Sequence, residues 1–177
     1  PAPSFVVTRL RQAGWRPVAY KLTTIVGRPA WELHFKRIDP HQPFLRRISV
    51  QLTELCVAHC IMCNLVGHFK RPFVPYPEIT ATLFEAAASG VGVLDLFGGE
   101  ICLRKDLFEI IRLGADLGME PMFITTGYFL TRSYVKKLAE AGLRFCNVSL
   151  DGVTAKVHDY IRGSPGMHRR TWRAIQA

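Results

Sequence analysis

The residues from Val91 to Phe97 read Val-Gly-Val-Leu-Asp-Leu-Phe, a near-continuous apolar run. Runs of this kind mark strands covered on both faces, as in parallel sheets flanked by helices. From about Arg47 onward short apolar runs alternate with amphipathic stretches, the rhythm of βα units and of an α/β fold. Ile48, Val50 and Leu52 alternate as a first strand that ends where the cysteines begin. A helix is predicted from about Pro77 to Ser89: proline suits a first helical position, Ile79 and Leu83 stand one turn apart, and Gly90 stops it. Leu107, Ile110, Ile111 and Gly114 repeat at helical spacing up to Gly118. Met122 to Thr125 reads as the third strand, and Val135, Leu138 and Ala139 as a helix closed by Gly142. Phe145 to Leu150 reads as the fourth strand, with further helices starting at Thr154 and near Met167. Four such units leave an open strand edge, which predicts that the natural chain continues past Ala177.

The division expected is an N-terminal extension, residues 1–46, packing on a core of residues 47–177. In the extension, Trp31, Leu33 and Phe35 alternate with Glu32, His34 and Lys36 as an exposed strand, while Thr8 to Ile25 mixes bases and apolar residues as a surface helix does. With 177 residues and 49% of them apolar, the chain has ample material for one packed domain, which excludes a disordered tail. No run of about eighteen apolar residues and no signal-peptide pattern occurs, so a soluble, cytoplasmic protein without a transmembrane segment is expected. The net charge of +9 fits a nucleic acid, an anionic cofactor or a membrane surface as partner, with a solvated basic surface as the alternative, since Lys and Arg are scattered.

Three of the five cysteines fall within Cys56-Val57-Ala58-His59-Cys60-Ile61-Met62-Cys63, directly after the first strand. Close neighbours are poor disulfide partners and an odd count leaves one over, so metal binding in a reducing compartment is the better account. Thiolates on one short loop can wrap an iron–sulfur cluster and leave one metal position open. A second arrangement stands beside it: Cys56, Cys60, Cys63 and His68 as a tetrahedral zinc site in a basic, nucleic-acid-binding module. Structural zinc ligands more often come as Cys-x2-Cys pairs in small domains.

The Cys-x3-Cys-x2-Cys loop is not alone. Gly98-Gly99-Glu100 ends the second strand, Thr125-Thr126-Gly127 the third and Val148-Ser149-Leu150-Asp151-Gly152 the fourth, followed by His158-Asp159-Tyr160-Ile161-Arg162-Gly163. In this order the motifs resemble those of the radical S-adenosylmethionine (SAM) superfamily, and the last stretch resembles its peptide-modifying, SPASM-type members. Met62, Ile101 and Thr126 stand where many members carry an aromatic residue, proline and asparagine.

The resemblance implies a partial (β/α)6 TIM-like barrel, of which about four βα units lie in this chain. It implies a [4Fe–4S] cluster on Cys56, Cys60 and Cys63, with SAM chelating the remaining iron. Reductive cleavage of SAM would give a 5′-deoxyadenosyl radical that abstracts hydrogen from a peptide or small metabolite, with the electron supplied by a donor such as flavodoxin or ferredoxin. An RNA-modifying member is the basic-protein variant of the same expectation.

For SAM, Gly98 and Gly99 allow close backbone approach, Glu100 offers a carboxylate to the ammonium group, Ser149 a hydroxyl to the ribose, and Arg162 a guanidinium to the carboxylate. Alternation along the fourth strand sets Phe145, Asn147 and Ser149 on one face and Cys146, Val148 and Leu150 on the other, so Cys146 is expected as a core thiol. Cys102 reads as another buried thiol. Asp95 interrupts an apolar strand and needs partners, either a site group or backbone donors. Asp151 reads as a turn residue, and Asn64 to Tyr76, with Phe69, Lys70, Arg71 and Phe73, as a wall arching from the cysteine loop.

Overall fold

A computed structural model describes residues 46–65 and 73–177 in full, together with the backbone of Trp15–Ile25 and Arg28–Arg37. His68, Phe69, Lys70 and Arg71 lie outside the described residues.

Two strands, β1 (Trp15–Ile25) and β2 (Arg28–Arg37), pair antiparallel as a sheet of their own. β2 is the strand expected around Trp31, but the helix expected to reach Ile25 is strand β1 over its described part. Pro17 withholds a donor and sits at a shift in the β1–β2 register. Val18, Thr23, Thr24 and Ile25 are β-branched, so local preference favours the extended chain over the amphipathic pattern.

The main sheet holds β3 (Arg47–Thr53), β4 (Val93–Gly98), β5 (Glu120–Thr125) and β6 (Phe145–Val148), parallel and in sequence order. Between them run α1 (Tyr76–Ala88), α2 (Leu107–Asp116) and α3 (Arg132–Glu140), and after them α4 (Ala155–Arg162) and α5 (Met167–Ile175). Each parallel pair needs a helical crossover, which the sequence supplies between successive strands. Pro77 sits in the first turn of α1, and Thr131 and Thr154 cap α3 and α4 by accepting from Tyr134 N–H and Val157 N–H.

The core lies between sheet and helices. Leu94, Leu96 and Phe123 are fully buried with Ile79, Leu83, Ile110, Ile111 and Leu138. Burying each such side chain contributes about 1.5–3 kcal/mol. The strand expected to be covered on both faces is fully covered on this one alone, for Val93, Asp95 and Phe97 on the other row are half-buried. Cys146 also departs from expectation: it pairs with buried Phe123, yet it is exposed. Among the described residues its strand is the last of the four and pairs on one side only.

Candidate cluster and cofactor site

The candidate residues gather at the carboxyl ends of the parallel strands: the cysteine loop after β3, Glu100 after β4, Thr126 after β5, Ser149 and Asp151 after β6. Two clamps hold the cysteine loop. On one side Gly99 N–H donates to Thr53 O (2.9 Å) and Glu100 N–H to Leu55 O (2.7 Å). A Cβ on Gly98 would stand 2.4 Å from Thr53 O, and one on Gly99 2.1 Å from Leu55 O. The glycine pair therefore serves a close approach to the backbone of the cysteine loop. On the other side, the loop's His59 N–H donates to Arg162 O (2.9 Å) and Ile61 N–H to Ile161 O (3.0 Å). These carbonyls belong to the last turn of α4 and have no intrahelical donor. Gly163 ends the helix at φ +59°, and a Cβ there would meet His59 O at 2.1 Å.

Cys60 is buried, Cys56 half-buried and Cys63 exposed, and all three are free thiols. Among the described residues no three His, Cys, Asp or Glu side chains converge closely enough to hold a metal ion, so the loop carries the trio without closing it. The donor set nonetheless fits an iron–sulfur cluster. Ala58 N–H points at Cys56 Sγ (3.4 Å) and Arg162 Nη1 at Cys60 Sγ (3.5 Å), contacts that favour thiolate sulfur. Burial, with smaller contributions from Glu100 and Cys60, pushes the Cys56 thiol up despite the Ala58 hydrogen bond. A bound metal removes that proton outright.

Glu100 is fully buried, which neither a free SAM-facing carboxylate nor an exposed turn residue would be. Oε1 accepts from Thr125 Oγ1 (2.7 Å) and Cys102 N–H (3.2 Å), and Oε2 from Thr126 N–H (3.0 Å) and Thr126 Oγ1 (2.5 Å). Four donors fill a carboxylate's usual capacity. The side chain thus braces the β5 turn against the end of β4. The Thr126 hydroxyl both donates to Glu100 and accepts from Tyr128 N–H (3.3 Å). Ile101, in place of proline, is buried in the core, and Met62 is exposed.

Arg162 is buried, not a surface cation. Its Nε lies 2.5 Å from Asp151 Oδ2 while Nη1 contacts Cys60. Asp151, expected only to make a turn, is the anchor of this ion pair. Its N–H donates to His158 Nδ1 (3.1 Å), and the far ring nitrogen of His158 faces Thr171 Oγ1 (3.4 Å), which donates to Thr126 O (2.8 Å). A buried polar chain thus runs from α4 and α5 to the Glu100 brace. His158 and Thr171 were not singled out by residue type; the His158–Gly163 stretch was the signal available.

Ser149 is half-buried at the end of β6, its N–H on Thr125 O (3.0 Å). Cys102 is a protected thiol as expected: burial first, then the Glu100 charge, push it far above the usual thiol range. Asp95 accepts from Ser49 Oγ (3.3 Å), and its Oδ1 is buried without a hydrogen-bond partner. Arg104, which sequence reasoning passed over, pairs with both oxygens of Asp106 (2.9 and 2.6 Å) and donates to Leu52 O and Val74 O (2.9 and 2.8 Å). It stacks over Phe73 at 5.4 Å and so ties the returning end of the cysteine arch to β3.

Comparison with known proteins accords with this layout. The sequence model described as "Radical SAM superfamily" matches residues 50–177. An AdoMet-dependent heme synthase of Methanosarcina barkeri is 38% identical over 136 residues, 74% of this chain and 38% of that protein. The PqqA peptide cyclase of Bradyrhizobium diazoefficiens is 30% identical over 125 residues, 70% of this chain and 33% of that one. The chain therefore spans well under half the length of these relatives. The crystal structure of Streptococcus suis SuiB bound to S-adenosylmethionine superposes with a TM-score of 0.63 at 20% identity, over 75% of this chain and 30% of that one, a likeness of fold. With a family match over most of its length and its four motifs at the carboxyl ends of four parallel strands, the chain belongs to the radical SAM superfamily.

Proposed function

We propose that the protein is an enzyme in which Cys56, Cys60 and Cys63 hold a [4Fe–4S] cluster and Gly98, Gly99, Glu100, Ser149 and Arg162 border the SAM bound to it. The observation that supports this reading is the double clamp on the cysteine loop, which holds the segment from Thr53 to Ile61, with Cys56 and Cys60 in it, at the carboxyl ends of the strands. Cys63, the exposed member, would turn inward on cluster binding to complete the trio. The backbone of Gly98 to Glu100 lies along the cofactor while the Glu100 carboxylate keeps the β5 turn in place. When bound, cluster and SAM supply one-electron cleavage of the sulfonium and the hydrogen abstraction that follows. The protein's part is to position them and exclude water.

The substrate is a peptide or small metabolite, a range spanned by relatives named peptide cyclase and heme synthase. A protein reductant of flavodoxin or ferredoxin type supplies the electron, and residues 1–46 are an extension that packs on the core, a reading supported by the approach of β1 to α1. No helix among the described residues is long and apolar enough to cross a membrane.

Anaerobic reconstitution tests the reading. The protein is expected to take up iron and sulfide in equal amounts, turn brown, bleach with dithionite, and convert SAM to methionine and 5′-deoxyadenosine. Serine at Cys56, Cys60 or Cys63 is expected to abolish both colour and SAM cleavage. A colourless protein that retains zinc, or a fully loaded one that leaves SAM intact, overturns it.

A further inference from the structure

We infer that Arg162, oriented by Asp151, tunes the reduction potential of the cluster by donating a hydrogen bond to the Cys60 sulfur. The inference rests on the cluster reading above and concerns one guanidinium. Three observations carry it. Arg162 is 9% exposed, so its charge acts through little water. Its Nη1 lies 3.5 Å from Cys60 Sγ, within donor range of sulfur. Its rotamer is fixed from behind, with Asp151 Oδ2 2.5 Å from Nε.

The backbone adds to this: the residue's own carbonyl accepts His59 N–H, so guanidinium and main chain grip the same stretch of loop one residue apart. A donor to a ligand sulfur stabilises the added negative charge of a reduced cluster, which raises its potential. The carboxylate of Asp151 approaches Nε while the sulfur contact is at Nη1, and His158 Nδ1 lies 3.9 Å from Asp151 Oδ2. The ion pair therefore orients the donor without occupying its reaching nitrogen. Asp151 is a positioning residue and Arg162 touches the cluster ligand.

The test is an EPR-monitored redox titration of the anaerobically reconstituted protein, with iron content measured on the same samples. Arg162→Gln is expected to retain iron and to need roughly tenfold stronger reducing conditions for half-reduction, about 59 mV more negative for one electron. Arg162→Lys keeps the charge but not the fork, and is expected in between. An unchanged potential in iron-loaded Arg162→Gln overturns the inference. Should that variant lose the cluster, Arg162→Lys decides: a lowered potential upholds the inference and an unchanged one overturns it. In the wild-type protein labelled with 15N-guanidinium arginine, pulsed EPR of the reduced cluster is expected to show a nitrogen coupling, and its absence overturns the inference. A wild-type protein that takes up no iron sinks the functional proposal instead, so the two failures are distinguishable.

Discussion

His158 is wholly enclosed, with Asp151 N–H on one ring nitrogen and Thr171 on the other. Since Nδ1 accepts from the backbone, the proton of the neutral ring belongs on Nε2, toward Thr171. Burial, then the Arg162 charge, lowers its pKa from the ordinary 6.5, although Asp151 opposes the shift. The unfolded chain therefore binds the proton more readily than the folded one. The stability held by the neutral ring is full above pH 6.5 and is lost as pH falls from there toward the lower folded value. Urea midpoints measured from about pH 7.5 to about pH 5 are expected to decline, and His158→Gln to flatten the part of that decline nearest neutrality. Residue types told part of this story. Cys56, Cys60, Cys63, Gly98, Gly99 and Glu100 were recognisable in the sequence, whereas the job of each glycine and the saturation of Glu100 were not. The first depends on backbone atoms of the cysteine loop and the second chiefly on Thr125 and Thr126 at the end of β5.

The link between α4 and α5 is an element-scale device that local sequence hid. Asp159, midway along α4, accepts from Gly166 N–H (2.6 Å) and His168 N–H (2.7 Å), the open donors at the start of α5. A carboxylate there also meets the positive end of the α5 dipole. Asp159→Ala is expected to cost about 1 kcal/mol, read as a lowered urea midpoint. The sequence placed both helices through Thr154 and Met167, and Pro77, Gly90, Gly118 and Gly142 marked helix starts and stops correctly. It misjudged β1, where amphipathic spacing pointed to a helix and β-branched residues with a cross-strand partner produced a strand.

At the scale of the whole molecule, a single layer of helices covers one face of the sheet, and Phe123 stands fully buried at the centre of that contact. Phe123→Ala is expected to destabilise the fold by about 3–5 kcal/mol, a large share of the roughly 5–15 kcal/mol typical of a domain. Thermal and urea unfolding would register it, and a change below about 1 kcal/mol would mean that this helix–sheet contact is not the main core.

The sequence by itself determined the α/β alternation, the order of strands and helices, and the three thiols on one loop. Periodicity and spacing act over a few residues and need no distant partner. Only the tertiary structure decided what grips that loop, for Arg162 stands 102 positions beyond Cys60 and Glu100 is 25 and 26 positions from the threonines it braces. Those contacts exist because parallel strands, each returned by a helix, set down their carboxyl ends side by side, and nothing within one strand and its loop specifies which distant side chain arrives there.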